Sequence, residues 1–328
     1  TMKNKILSFL ATSALFTISA NAQTGGGVNQ NNLDGKLGLN TITTALPFMS
    51  ITPDSRAGAM GDAGTALGGN ATSIYWNTSM LIFAEEKSGI SVSYTPWLRN
   101  LTNDMHLSYV SGYSKIGKRH VVGGGLRYFN LGEITYNTNN GSFIRNDKPS
   151  EFELIGSYGL RLSDKVSLGV NGKFVHSNLT GGMVIEGVDS KAAIAGAADV
   201  SFTYFNDQAK IGKLRGDYTF AATLNNIGNK VSSYSSSTSR DFIPMNLKLA
   251  TSYRMRFDKY NTLLVAFELQ KLLVPTPAIY SNIDGKQTLI SGFSGDVGII
   301  KGMIQSFYDA PGTPVKDANG DYVMNSDG

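Results

Sequence analysis

The chain has no cysteine, so neither a disulfide framework nor a thiolate metal site is open to it, and its fold rests on packing and backbone hydrogen bonds. Charge is scarce too: Asp, Glu, Lys and Arg make up 16% of the 328 residues, against roughly 25% in an ordinary soluble domain. Past the N-terminus no apolar run is long enough for a membrane helix, which excludes a helical bundle in a bilayer. Yet the mean hydropathy, -0.11, is that of a soluble chain. Low charge without long apolar runs suits a membrane protein built of strands, whose side chains alternate.

What is present begins with a leader. Met2, Lys3 and Lys5 form a basic start, an apolar stretch runs from Ile6 to Ile18, and Ala20-Asn21-Ala22 supplies small residues for cleavage. We read residues 1–22 as a secretory signal peptide cut after Ala22, and Gln23 in place of Cys argues against a lipoprotein. The formal net charge is only +4, and loss of Lys3 and Lys5 lowers it further, so the pI near 9.0 is no nucleic-acid footprint. Residues 23–40, rich in Gly and Asn, read as a flexible N-terminus.

Residues 87–271 divide into about nine alternating segments, each near the length of a tilted membrane strand. Ile90, Val92 and Tyr94 alternate with Ser91, Ser93 and Thr95; Val166, Leu168, Val170 and Phe174 oppose Ser167, Asn171, Lys173 and Val175. A period of two cannot be a helix face. Tight turns such as Leu162–Lys165 alternate with long polar connections such as Gly132–Ser150 and Asn229–Phe242, as in outer-membrane barrels. The aromatics Tyr94, Trp97, Tyr113, Tyr128, Phe129, Tyr158, Tyr204, Phe205, Tyr253 and Phe257 are expected in the interfacial girdles. A secreted β-sandwich is the competing class. Single-chain barrels normally have an even strand number, so nine imply a chain truncated before closure, with two costly edges in lipid. Residues 272–328 read as an outer loop with a short amphipathic helix in Val297–Phe307, whose Ile300, Met303, Ile304 and Phe307 form a lid or a cargo contact.

No catalytic constellation stands out. His106, His120 and His176 are scattered, without the spacing of a metal motif, and GFSGD at 292–296 puts Asp296 where a nucleophile elbow needs Gly. The run Asp317-Ala318-Asn319-Gly320-Asp321 begins like a calcium loop but has Tyr322 at the sixth position and Gly328 at the twelfth, so it reads as a polar turn. No metal, cofactor or catalytic residue is assigned.

The segment 41–86 is Gly-rich but carries neither phosphate-loop pattern, and no lysine lies between Ile51 and Phe83. Its Gly58, Gly61 and Gly64 permit tight turns, while Asp54, Arg56 and Asp62 can pair internally, so it reads as a hatch folded into the barrel mouth and ending at Trp76-Asn77.

The run PFMSITPDSRAGAMGDAGTAL, then ATSIYWNTSMLIF, with LVPTP at 273–277 and QSFYDAPG at 305–312, resembles the PorV (LptO) family of Bacteroidetes. The resemblance implies a fourteen-stranded, transmembrane antiparallel β-barrel of FadL type with an N-terminal hatch, about nine strands of it present here. One departure falls in the hatch: the family reads Trp-Asn-Pro-Ala where this chain has Trp76-Asn77-Thr78-Ser79, and loss of a fixed φ is expected to loosen that turn. It further implies a non-enzymatic outer-membrane shuttle of the type IX secretion system. Such a shuttle takes cargo C-terminal domains from the SprA/Sov translocon to the PorU sortase complex, in contact with outer-membrane lipid. The alternatives are a FadL-like channel for hydrophobic molecules and a lipid A deacylase using one of the histidines.

Overall fold

The computed structural model describes residues 42–137, 140–179, 184–185, 188–212, 214–232, 240–283 and 286–309. The leader, the Gly/Asn-rich stretch and the run at 317–321 lie outside the described residues.

Each alternating segment is a strand: β1 (Ser88–Pro96), β2 (Met105–Ile116), β3 (His120–Leu131), β4 (Ser150–Arg161), β5 (Val166–Asn178), β6 (Ala193–Ile211), β7 (Leu214–Gly228), β8 (Asn246–Arg256) and β9 (Thr262–Leu272). They form one nine-stranded sheet in chain order, each neighbouring pair antiparallel. The protein is therefore all-β, built on a large antiparallel sheet. Among the described residues β1 and β9 are edges that do not pair with each other, and no helix is long and apolar enough to cross a membrane. The β2–β3, β4–β5, β6–β7 and β8–β9 connections are tight turns at one end of the sheet, and the long connections are at the other.

Alternation sets the two faces. On β5, Ser167, Asn171, Lys173 and Ser177 point inward and are buried, while Val166, Leu168, Val170, Phe174 and His176 point outward. The pattern repeats: Val92, Val110, Leu126, Leu154, Val200, Leu249 and Phe267 stand exposed on the outward face. The ionisable residues Arg127, Glu153, Lys173, Asp199 and Lys248 are buried on the inward one. That polarity is the inverse of a soluble sheet and the one a bilayer selects. Gly112, Gly124, Gly156 and Gly172 are direct cross-strand partners, a line without side chains across β2 to β5 at which the sheet can curl.

Residues 42–86 lie against the inward face as short helices, α1 (Ser55–Ala59), α2 (Ser73–Trp76) and the 3-10 turns Pro47–Ser50 and Thr78–Phe83. They touch β3 through Arg127 and β9 through Glu268, so the sheet wraps round them. That filling changes the assignment of the aromatics. Tyr94, Tyr128 and Tyr158 face outward, but Trp97 packs edge-on to buried Phe129 at 5.7 Å. Tyr113 joins a cluster with Ile74 and Leu81, and Phe205 meets Phe83 at 5.0 Å. Four of the expected girdle residues thus serve the interior, because the hatch offers them apolar partners there.

Candidate functional site: the hatch, its ionic anchor and the loop-end helix

The hatch is organised around Asp54. Its Oδ1 caps α1 by accepting from the Ala57 amide at 3.0 Å, a favourable N-cap, and its Oδ2 accepts from Trp76 Nε1 at 2.6 Å. One carboxylate thus ties the start of the hatch to its end. The indole lies flat on Gly64, where a Cβ would sit 2.1 Å from the ring, so only glycine fits there. Lys248 Nζ stands 4.3 Å from the indole ring centre, a cation–π contact from β8. Gly61 has φ +68° and needs its freedom; Gly58 sits inside α1, where a Cβ would make only an ordinary contact with Thr52 at 3.8 Å. Arg56 donates to the Leu67 carbonyl at 2.9 Å, and Asp62 accepts from Thr52 Oγ1 at 2.6 Å. Asp54, Arg56 and Asp62 therefore do not pair with one another; each holds a different turn.

The wall grips this fold through a chain of charges that the sequence reading missed. Arg127 on β3 is fully buried and donates to the carbonyls of Phe48 at 2.8 Å and Ile51 at 2.9 Å, with its guanidinium 4.8 Å from the Tyr75 ring centre. Its Nε meets Glu153 on β4 at 3.1 Å. Lys173 on β5 continues the chain, 3.5 Å from Glu153 and 2.8 Å from Asp199 on β6. Asp199 lies at a β-bulge and accepts from the Asn226 amide at 2.7 Å, while Asn226, at φ 60°, takes a bond from Lys173 at 2.7 Å. On β9, Glu268 accepts from the Thr65 amide at 3.0 Å. The available signal was a charge on the inward phase, lone among uncharged residues on β3 and β5 and accompanied by Glu151 on β4. Burial raises the Tyr75 hydroxyl above the ordinary phenol range, so it stays protonated and donates to the Met49 carbonyl at 3.0 Å.

The Thr78-Ser79 turn is not loosened. Both residues are buried, Thr78 Oγ1 donates to Asn171 Oδ1 at 2.5 Å, and Ser79 Oγ donates to Asn77 Oδ1 at 2.6 Å. Asn77 itself donates to Thr65 O and to Thr203 Oγ1, each at 2.9 Å. A Cβ at Gly169 of β5 would sit 2.4 Å from the Ser79 amide nitrogen, so the bare wall lets the turn dock. Two hydroxyls bonded into the wall replace the rigidity that proline would bring.

At the long-loop end, Phe48, Met49, Phe129, Phe242, Ile243, Met245, Leu273 and Val274 form one buried cluster. The helix α3 (Ile299–Gln305) caps it, with Ile299 and Met303 packed inward and Gly302 against the Phe242 ring. Asp309 accepts from the Thr276 amide at 2.7 Å and fastens the helix end. Ile300, Ile304 and Phe307 face solvent at 64%, 59% and 60% exposure. The sequence-derived quartet is thus divided: Met303 is a packing residue and the other three form an open apolar stripe.

The histidines are dispersed on the outward face. His106 lies 5.2 Å from Tyr94, His176 stacks on Phe152 at 5.2 Å, and His120 Nδ1 is 2.7 Å from the Tyr158 hydroxyl. Among the described residues no three His, Cys, Asp or Glu side chains gather as metal ligands.

An antiparallel sheet that is apolar outside, charged inside and filled by its own N-terminal segment defines an outer-membrane type of β-protein. A family model described as type IX secretion system protein PorV matches residues 35–279, and the chain belongs to that family, whose members are outer-membrane proteins of type IX secretion. The match spans the hatch and all nine strands and ends before α3. No curated protein matches the chain.

Proposed function

We propose that the protein is a non-enzymatic shuttle of type IX secretion, a hatch-filled β-barrel in the outer membrane that binds cargo C-terminal domains with its long-loop end. It receives them at the SprA/Sov translocon and hands them to the PorU sortase complex. The observation that carries this reading is the filled interior beside an open apolar stripe. A cavity of about 750 Å3 opens at the turn end between Gly69 and Arg256. Two more enclosed spaces between hatch and wall, beside Thr219 and Ser252 and beside Lys173 and Asn226, measure about 10 and 50 Å3, smaller than a lipid-like solute. At the long-loop end Ile300, Ile304 and Phe307 present an i, i+4, i+7 stripe suited to an apolar patch on a partner.

The test is capture of a purified cargo C-terminal domain by the full-length protein in detergent. The triple variant I300S/I304S/F307S is expected to lose at least about tenfold in affinity, the scale for removing interface anchors. Its hatch and sheet should be unchanged. Absence of cargo binding by a folded wild-type protein would sink the reading.

A further inference from the structure

Each end of the sheet holds paired cations, Arg254 and Arg256 with Asp217 among them at the short-turn end, and the short-turn end also holds an unpaired group among the described residues. At the long-loop end Arg145 pairs with Asp147 at 3.1 Å, Lys148 with Glu133 at 3.4 Å and Lys230 with Asp296 at 3.8 Å. At the short-turn end Lys118, Arg119 and Lys165 are exposed, and none of them joins an ion pair among the described residues. The first two lie in the β2–β3 turn and the third in the β4–β5 turn. The Arg161 amide donates to the Arg119 carbonyl at 2.7 Å, which seats the first turn on the end of β4, beside the second. Asp164 is the acid of these two turns.

Directly beyond these cations on the outward face stands an amphipathic belt. His120 and Tyr158 share a hydrogen bond, and Val122, Leu162 and Leu168 are exposed beside them. Unpaired cations below an aromatic pair and an apolar wall match a molecule with an anionic head and hydrocarbon tails. We propose that Lys118, Arg119 and Lys165 bind the phosphodiester headgroup of an anionic phospholipid whose acyl chains lie on Val122, Tyr158 and Leu168. The inference rests on the barrel reading above and adds a lipid class and a location to it. A soluble anion would use the cations but gain nothing from the apolar wall; a zwitterionic lipid would use the wall but gain less from the cations.

The experiment reconstitutes the full-length protein in phosphatidylcholine vesicles with and without phosphatidylglycerol, then counts retained lipids by native mass spectrometry. Wild type is expected to retain phosphatidylglycerol preferentially, each neutralised cation in K118Q/R119Q/K165Q costing about fivefold of that preference at low salt. Because all three side chains are exposed, the variant should insert like wild type. Insertion with no lipid preference, or a preference that survives the triple substitution, overturns the proposal alone. Retention of inorganic phosphate in place of the lipid overturns it in favour of a soluble anion. Failure to insert into either vesicle overturns the barrel reading and the proposal together.

Discussion

The inward and outward faces of the same nine strands follow opposite rules. Inward, β3 to β6 carry Arg127, Glu153, Lys173 and Asp199, each held by two or more partners. Outward, the same strands show Leu126, Leu154, Val170 and Val200, which the chain leaves bare. A strand of period two thus carries two messages. The outward one specifies a solvent, and the inward one specifies a particular hatch. The outward message needs only hydrophobicity and tolerates exchange. The inward one needs named partners, because a buried charge without them is costly.

The largest expected effect comes from breaking the inward rule. Arg127→Ala removes three carbonyl bonds, to Phe48, Met49 and Ile51, and leaves Glu153 facing only Lys173 at 3.5 Å, at an expected cost of about 3–5 kcal/mol. The double variant R127M/E153M should cost less than either single change, since no charge is left stranded. Urea unfolding followed by tryptophan fluorescence reads this directly, as Trp76 sits in the hatch. A double variant whose cost equals the sum of the two single changes would show that the pair is not coupled.

Next in size is a breach of the outward rule. Val170→Arg places a charge at the middle of β5 on the bare face. In a bilayer it should cost about 2–4 kcal/mol, whereas on a soluble sheet an exposed substitution stays within about 0.5 kcal/mol. Measuring the variant's unfolding in vesicles therefore separates the barrel from the β-sandwich.

Much of this division was legible in the sequence. The alternation at 166–178 gives both faces of β5 and the tight turn before it. It did not reveal which phase is buried where the hatch meets the wall, and so Tyr113, Phe129 and Phe205 were expected outside. Nor could spacing join Asp54 to Trp76, 22 residues apart, or Thr65 to Glu268, 203 apart. Those bonds belong to tertiary packing, and no local pattern encodes them.

The Thr78-Ser79 turn offers a finer test of the same contrast. Thr78→Val keeps the shape but leaves Asn171 Oδ1 without its donor in a buried site, at an expected cost of about 1–3 kcal/mol. Ile304→Ser on the open stripe should change stability by less than about 0.5 kcal/mol. If the two variants unfold alike, the hydroxyl bonds do not secure the hatch.

The smallest effect lies outside both faces, where bonds are exposed to water. Asp104, in the β1–β2 connection, is held below the usual carboxylate range first by the Thr102 hydroxyl and then by the Glu133 amide, which donates to its Oδ2 at 2.7 Å. A depressed folded value means that ionised Asp104 ties the two connections together above its unfolded pKa of about 3.9. The tie is then lost as pH falls through the lower folded value. Because the carboxylate is fully exposed, solvent screens most of that gain and global stability should not move. The readout must therefore be local: the exchange protection of the Glu133 amide, corrected for intrinsic rates, should fall on acidification in wild type. In Asp104→Asn it should be low and independent of pH. Protection that is equal in both proteins at neutral pH would assign the Glu133 amide to some other acceptor and remove Asp104 as the link between these loops.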